Sequence, residues 1–371
     1  MANKKPTVLH VIDTTGPGGA ETVFLDLAEN MDLQGYNKLA LIKGSGWVEQ
    51  QLKKRQIPYL VLKPYGFLSL PYYLQLFRII KKYNVQYIQA HLLGSALSCS
   101  ILRFLYRVPV VATLHGQVDV NPNERFVAVK RWILKVGLSK VVAVSGQLAS
   151  YLESRGLFNA SQLEVIHNGI STDRYTRAAV RSFRLDLGLN ESTKLIGSVG
   201  NIRPAKDYKN LIEAAALVIE QEPGVHFLIA GHSKQPLQGE LDALVAKLQL
   251  GNNVHFLGFV DDTPSFLAQL DVFALSSSAE GFSIATLEAM AANVPVVVTK
   301  CGGPEEIITP GVDGIMVPVG NPRALSEAII SALAAPNEFV TSAHEKVVRQ
   351  FSMQAMVSKY LAIAEKELEQ I

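Results

Sequence analysis

Two series of short apolar runs divide the chain, and most runs are followed by a stretch with helical spacing. The first series is TVLHVI (7–12), LALI (39–42), YLVL (59–62), VQYIQA (85–90), PVVATL (109–114), VVAVS (141–145) and LEVIH (163–167). Val, Ile and Leu fill these runs with little polar alternation, as in strands covered by helices on both faces. Between them lie PYYLQLFRIIKKY (71–83) and ERFVAVKRWILKVG (124–137), where apolar residues recur at helical intervals. The pattern then starts again with KLIGSVG (194–200), VHFLIAG (225–231), VHFLG (254–258), VFALSS (272–277), VPVVVT (294–299) and GIMVP (314–318). Helical stretches such as 208–221 and 321–334 separate its members. The polar stretch STDRYTRAAVRSFRLDLGLNEST (171–193) lies between the series and reads as a linker.

This alternation predicts an α/β protein made of two Rossmann-like, doubly wound parallel-sheet domains, residues 1–175 and 176–351. Residues 352–371 form a last helix that could pack on either domain, a return to the first being one arrangement. Ligands of such sheets bind outside the strand carboxyl ends, so two of them side by side predict a cleft lined by both.

Composition narrows the class. The chain has 371 residues, 48% hydrophobic and 18% charged, which suits about two well-packed globular domains and not a disordered protein. No apolar run reaches the roughly 20 residues that span a bilayer. The longest, Leu92–Leu102, reads as a core helix, and His10 and Asp13 interrupt the first run, which argues against a signal peptide. Two cysteines, Cys99 and Cys301, suit neither a disulfide scaffold nor a metal site, and a cytoplasmic location is expected. The net charge of +2 conceals +9 in residues 1–175 and −7 in residues 176–371. The basic half is expected to meet something anionic, a membrane surface or a charged acceptor, if the asymmetry is more than scatter. No nucleic-acid partner is expected.

Four places could carry chemistry. DTTGPGGAET follows the first strand, and Gly16, Gly18 and Gly19 form a turn whose N–H groups could meet an anion or substrate. It is neither a dinucleotide fingerprint, since Glu21 stands at the third glycine position, nor a P-loop. TLHG puts His115 at a strand's carboxyl end, where it could touch a sugar hydroxyl or simply be a satisfied edge histidine. VGNIRPAKDYKNL places Arg203 and Lys206 before a helix that Asp207 caps, a site for a diphosphate or a pair of solvated loop charges. In AEGFSIATLEAM, Ser283 caps a helix from about Ile284 to Ala292 whose apolar residues cover nearly its whole circumference. Glu288 is the one charge in that helix. It needs donors, and either the vicinal hydroxyls of a ribose or a buried Arg or Lys would serve. Glu280, in the preceding loop, would meet the ligand nearer its reacting end.

The run EGFSIATLE is similar to the E-x7-E signature of retaining GT-B glycosyltransferases, above all those of family 4. GPGGAE, TLHG, VIHNGI (165–170), VGNIRPAKD, FLIAG, VHFLGFV, CGGPEEII and GVDGIMVP extend the resemblance over nearly the whole chain, in order. The resemblance implies that Glu288 binds the nucleotide ribose and Glu280 a hydroxyl of the donor sugar. It implies that the backbone from Gly281 through Phe282 and Ser283 to Ile284 holds sugar and phosphates, while Lys206 and Arg203 neutralise the diphosphate. His115, Gly18 and Gly19 would line the sugar and acceptor side. Members usually carry Arg where this chain has Asn201, and often Gly where it has Asp207, so Arg203 is expected to replace the missing cation.

The reaction implied is retaining transfer of a hexose-type sugar from a UDP- or GDP-linked donor to a glycan or lipid-linked acceptor, in bacterial surface polysaccharide synthesis. No D-x-D motif or ligand cluster appears, so metal-independent catalysis without a cofactor is expected. A sugar-nucleotide epimerase and a non-catalytic nucleotide-sugar-binding protein are the alternatives. Lys130, Arg131, Trp132 and Lys135, with Arg78, Lys81 and Lys82, are the expected points of peripheral attachment to an anionic membrane.

Overall fold

Parallel strands form where the continuous apolar runs stand. The computed structural model describes residues 5–63, 69–116, 126–156, 158–175 and 182–370. Seven strands belong to the first sheet: β1 (Thr7–Ile12), β2 (Asn37–Ile42), β3 (Tyr59–Val61), β4 (Val85–His91), β5 (Val110–Leu114), β6 (Lys140–Ala143) and β7 (Leu163–Val165). Six form the second: β8 (Lys194–Val199), β9 (Val225–Ala230), β10 (Val254–Gly258), β11 (Val272–Leu275), β12 (Val296–Thr299) and β13 (Ile315–Val317). The orders are β3-β2-β1-β4-β5-β6-β7 and β10-β9-β8-β11-β12-β13. Both sheets are Rossmann-like. Each reverses its winding once, between β1 and β4 in the first and between β8 and β11 in the second, and a crevice for ligands opens at such a reversal.

The chain forms two units, Met1–Gly169 with Met353–Ile371, and Ile170–Ser352. The helix Met353–Leu368 therefore belongs to the first. It buries Met356, Val357, Tyr360, Ala364 and Glu367, a stripe with helical spacing. The sheet face it meets is partly polar. Tyr87 donates to Gln89 Oε1 at 3.1 Å, Gln89 Nε2 donates to Thr113 Oγ1 at 2.9 Å, and Thr113 and Tyr360 share a hydrogen bond of 3.1 Å. Main-chain N–H of Gly169 also points to Met356 Sδ at 3.2 Å. In the second unit one core runs from Ile212 and Val218 through Phe227 and Ala274 to Leu325 and Ile329, joining helices to the sheet.

The stretch 171–193 is not simply a linker. Phe183 is buried and meets Phe266 edge-on at 5.4 Å. Arg184 bonds Asp271 Oδ2 at 2.9 Å and the carbonyls of Thr193 and Gln269, so its polarity serves to fix this segment on the second unit. Residues 176–181 lie outside the described residues. No helix among the described residues is long and apolar enough to cross a membrane.

His10, on β1 opposite Ala40 and Gln89, is fully buried, and neither ring nitrogen has a partner. Burial, then the charge of Lys38, lowers its pKa to about 3. An unfolded histidine titrates near 6.5, so between these values only the unfolded chain takes up the proton. Stability should therefore fall by up to about 1.4 kcal/mol for each pH unit below 6.5 from this group. The urea midpoint of the first unit, followed from pH 7.5 to pH 5, is expected to drop, and His10→Leu should make that drop shallower.

Candidate functional site

At the end of β8 the chain turns through Gly200 and folds Lys206 back over it. A Cβ at Gly200 would stand 2.6 Å from Lys206 Cε, and one at Gly231 would stand 2.0 Å from the Gly200 carbonyl. These two positions need glycine for space. Tyr208 Oη donates to the Gly200 carbonyl at 2.7 Å, and Ser276 Oγ donates to that of Lys206 at 2.9 Å. Main-chain N–H of Ser278 donates to the Ala205 carbonyl at 2.8 Å, so the loops after β8 and β11 are stitched together.

Lys206 Nζ is thereby set 2.6 Å from Glu280 Oε1, which also accepts from Ser277 Oγ at 2.7 Å. The two side chains are 21% and 14% exposed, too dry for a surface ion pair of negligible worth and too open to be sealed in the core. Burial alone would lower the Lys206 pKa, but the adjoining Glu280 carboxylate more than offsets it and holds the ammonium above its ordinary value. Both bonds fall on Oε1. A cation, a carboxylate and an open edge thus meet at one sheet's carboxyl end.

Glu280 is held by backbone as well. Its N–H donates to the Cys301 carbonyl at 2.9 Å and its carbonyl accepts from Gly303 N–H at 3.0 Å. Gly302 takes φ 112°, which favours glycine, and its N–H donates to Glu305 Oε2 at 2.8 Å. A Cβ at Gly303 would lie 2.6 Å from Phe282 Cα. CGGPEE is therefore the backing of the loop Glu280–Ser283.

The helix Ile284–Ala291 begins as expected, with Ser283 Oγ accepting from Thr286 N–H at 3.4 Å and from its hydroxyl at 2.8 Å. Its surroundings differ from expectation. Leu287, Ala289, Met290 and Ala291 are buried, but Gly281, Ile284, Ala285, Glu288 and Ala292 are only half-buried. At spacings of three and four these five form one stripe. Ala and Ile on that stripe had suggested a buried circumference, because apolar residues alone do not reveal an open face. The lone charge stands on the open side. Glu288 Oε1 accepts from Tyr175 Oη at 2.6 Å.

Three other expected residues lie apart from this group or serve it differently. Arg203 is exposed; its carbonyl accepts from Lys206 N–H at 3.0 Å, but no described side-chain contact brings its guanidinium to Lys206 or Glu280. Asn201 Oδ1 accepts from His232 N–H at 3.1 Å, so its side chain ties the loop after β8 to the one after β9. Asp207 caps the helix Tyr208–Gln221 through Asn210 N–H at 3.4 Å. A groove of about 410 Å³ in this unit, lined by Phe183, Phe259, Asp261 and Asp262 among others, includes neither glutamate nor Lys206. No group of three or more potential metal ligands occurs among the described residues.

The first unit holds the remaining set. Gly18 caps the helix Gly19–Asn30 by its carbonyl, which accepts from Thr22 N–H at 2.9 Å, and a Cβ there would strike Glu21 Oε2 at 2.5 Å. His115 follows β5, with its Nε2 3.2 Å from His91 Nδ1 and the rings stacked at 5.5 Å. Burial lowers the His115 pKa to about 3, so the ring is neutral near pH 7. His91 Nε2 is buried without a partner. An unmet acceptor is less costly than an unmet N–H, so His91 carries its proton on Nδ1 and donates to His115 Nε2, which places the His115 proton on Nδ1. His91 and Asp13, whose carboxyl burial raises in pKa despite Lys43, were not singled out in the sequence. Each stands at the end of an apolar strand, and only the winding reversal between β1 and β4 brings them near each other.

Gly303→Ala should crowd the Phe282 backbone and lower stability by about 1–3 kcal/mol. A fall in melting temperature of the second unit, with little change in the first, is the expected readout.

The model described as "Glycosyl transferases group 1" matches residues 180–347, and that described as "Glycosyltransferase Family 4" matches residues 17–174. The chain is 33% identical over 206 residues to the lipopolysaccharide core biosynthesis glycosyltransferase LpsE of Rhizobium meliloti (strain 1021), covering 54% of this chain and 57% of that protein. It is 28% identical over 264 residues to N-acetyl-alpha-D-glucosaminyl L-malate synthase of Bacillus anthracis, covering 69% of this chain and 68% of that one. Among solved structures, Anabaena HepE in complex with UDP and glucose superposes with a TM-score of 0.84 at 24% identity, over 98% of this chain and 100% of that one. A likeness at that identity speaks for the shared fold.

Proposed function

The chain belongs to the family 4, group 1 glycosyltransferases of GT-B fold, and on that premise we propose that it moves a hexose-type sugar from a UDP- or GDP-linked donor to a glycan or lipid-linked acceptor, with retention. Bacterial surface polysaccharide synthesis is the proposed setting, in keeping with LpsE. The observation that carries this reading is the Lys206–Glu280 pair at 2.6 Å, set beside the loop amides that precede a capped helix.

Glycosyl transfer from a diphosphate leaves an oxocarbenium-like sugar and a leaving group that gains negative charge. Fixed positive charge and N–H dipoles at the leaving oxygens then lower the barrier most. Lys206 supplies that charge in this reading, and the Gly281–Ile284 backbone the dipoles. Lys206 also turns Glu280, whose Oε2 accepts a sugar hydroxyl and fixes the anomeric carbon over the diphosphate. Glu288 takes the ribose hydroxyls. Neutral His115 donates Nδ1–H to a sugar oxygen, and Gly18 and Gly19 serve the acceptor side of the first unit. Lys206 does the work that a metal does elsewhere, and no cofactor is required. Arg203 would act on the diphosphate only after its side chain turns from solvent.

With donor and acceptor supplied, Glu280→Ala should lower kcat on the order of 100-fold while nucleotide binding changes little. Proton NMR of the product should show the anomeric configuration of the donor. Unchanged turnover in the variant would mean that this carboxylate is not catalytic. Interconversion of donor sugars without any acceptor would favour the epimerase.

We also propose that the first unit sits on an anionic membrane. In the helix Val127–Gly137, Val129, Trp132, Lys135 and Val136 form an exposed stripe, Trp132 being 60% accessible. Phe104 stacks on Trp132 at 6.0 Å and is itself half exposed. The helix Leu70–Lys82 exposes Leu70 and Leu74 at one end and Arg78, Lys81 and Lys82 at the other. An apolar stripe turned outward among cations suits a headgroup layer better than water. Co-sedimentation with phosphatidylglycerol vesicles should be strong at low salt and weak at high salt, and Trp132→Ala should reduce it. Equal recovery with neutral vesicles at both salt levels would refute the attachment.

A further inference from the structure

At the carboxyl end of β1, Asp13 is packed against the turn that follows β4. Leu92 takes φ 69°, a left-handed conformation that is costly for a leucine, and the chain passes at once into the helix Leu92–Tyr106. That turn lays Gly94 against the acid. A Cβ at residue 94 would stand 1.8 Å from Asp13 Oδ2, so only glycine leaves the carboxylate its place. Donors are scarce there. Ser95 Oγ is 3.5 Å from Asp13 Oδ1, and its single proton also serves the His91 carbonyl. The other hydrogen bond comes from the acid's own N–H, and Lys43 acts on it through charge, with no ion pair among the described residues. Glu21, in the first turn of the helix Gly19–Asn30, adds like charge. Burial raises the carboxyl pKa more than Lys43 and the hydrogen bonds lower it. A half-buried carboxylate so placed is short of donors.

We propose that Asp13 is the residue by which the first unit selects its acceptor: the carboxylate takes hydrogen bonds from hydroxyls of a neutral hexose rather than meeting an anionic group. The inference rests on the transfer reading given above and narrows its acceptor class. Ligands of such a sheet bind outside the strand carboxyl ends at the winding reversal, and Asp13 stands where β1 and β4 part. Sugar hydroxyls bring the donors that the protein withholds, whereas a phosphate would set like charges together. An aspartate kept for the fold is matched with donors of the protein, as Asp26 is with Arg55 Nη1 at 2.7 Å, and its loss lowers stability.

The test measures transfer by the full chain from a panel of UDP- and GDP-linked hexoses to the octyl glycosides of glucose, galactose, mannose and N-acetylglucosamine. Wild-type protein should glycosylate at least one of these glycosides. Asp13→Asn keeps the shape and removes the charge. It should lower kcat/KM for that glycoside roughly 10- to 100-fold, with the donor KM and the calorimetric affinity for UDP or GDP nearly constant. The melting temperature should stay equal or rise, because a carboxylate short of donors is removed. Unaltered transfer in Asp13→Asn, or a melting temperature that falls together with transfer, would overturn the proposal. Wild-type protein that binds a nucleotide yet glycosylates none of the glycosides would also overturn it while leaving the donor site standing. Wild-type protein that binds neither UDP nor GDP would overturn the transfer reading and this inference with it.

Discussion

One ion pair organises the candidate site. Lys206 and Glu280 stand on different loops of the second sheet, 74 residues apart in sequence, and close to 2.6 Å. Neither would hold its place alone. An unpaired ammonium or carboxylate at this depth would carry a desolvation cost of a few kcal/mol, and the loops would relax to relieve it. Around the pair the packing is backbone on backbone: Gly231 against Gly200, and Gly303 against Phe282. The glycines allow the approach, and the ion pair sets its direction. Because Glu280 uses Oε1 for both Lys206 and Ser277, its other oxygen can meet a ligand without breaking the pair. In the proposed reading, stability and function are served by different atoms of the same carboxylate.

Much of this could be read from the residues. The thirteen strands coincide, within a few residues at their ends, with the continuous apolar runs, because a strand buried on both faces has no polar positions to blur it. The Ser283 cap and the helix it starts were visible for a similar reason, since capping is a local interaction. Pairings between distant residues were not. Nothing in STDRY indicates that Tyr175 meets Glu288, and nothing in VQYIQAH that His91 meets His115. Those contacts follow from the order of strands and the packing of turns. The half-open stripe of the helix Ile284–Ala291 escaped for another reason: alanine and isoleucine are equally at home in a core and in a site that a sugar covers. Asn201 was legible in one respect and not in another. It stood out as the place of a missing cation, while the tie its side chain makes to a neighbouring loop through His232 N–H did not.

The first unit is built on a different compromise. Its core carries buried polar groups, Tyr87, Gln89 and Thr113 of the sheet in hydrogen bonds that reach Tyr360 of the last helix, and His10 without any, where a simpler protein would place leucine. The bonded members tie the helix Met353–Leu368 to β4 and β5 with a directionality that apolar contact lacks. The histidines are kept neutral by burial, so near pH 7 His115 offers hydrogen bonds rather than charge. Meanwhile apolar side chains such as Trp132 and Phe104 stand outside. Polar groups inside and apolar groups outside are each costly in an isolated globule. Both become intelligible under the proposed reading, in which this unit presents neutral donors to a sugar and an adhesive face to lipid.

The central claim is that the second unit grips a sugar nucleotide through Glu288, Lys206 and Glu280. The most direct measurement is a crystal structure of the full chain soaked with the sugar nucleotide that most raises its melting temperature. The expected density has both ribose hydroxyls on Glu288, the diphosphate on Lys206 and the Gly281–Ile284 amides, and a sugar hydroxyl on Glu280. Density for the nucleotide elsewhere, for instance in the groove beside Phe183 and Phe259 with Glu288 untouched, would contradict it.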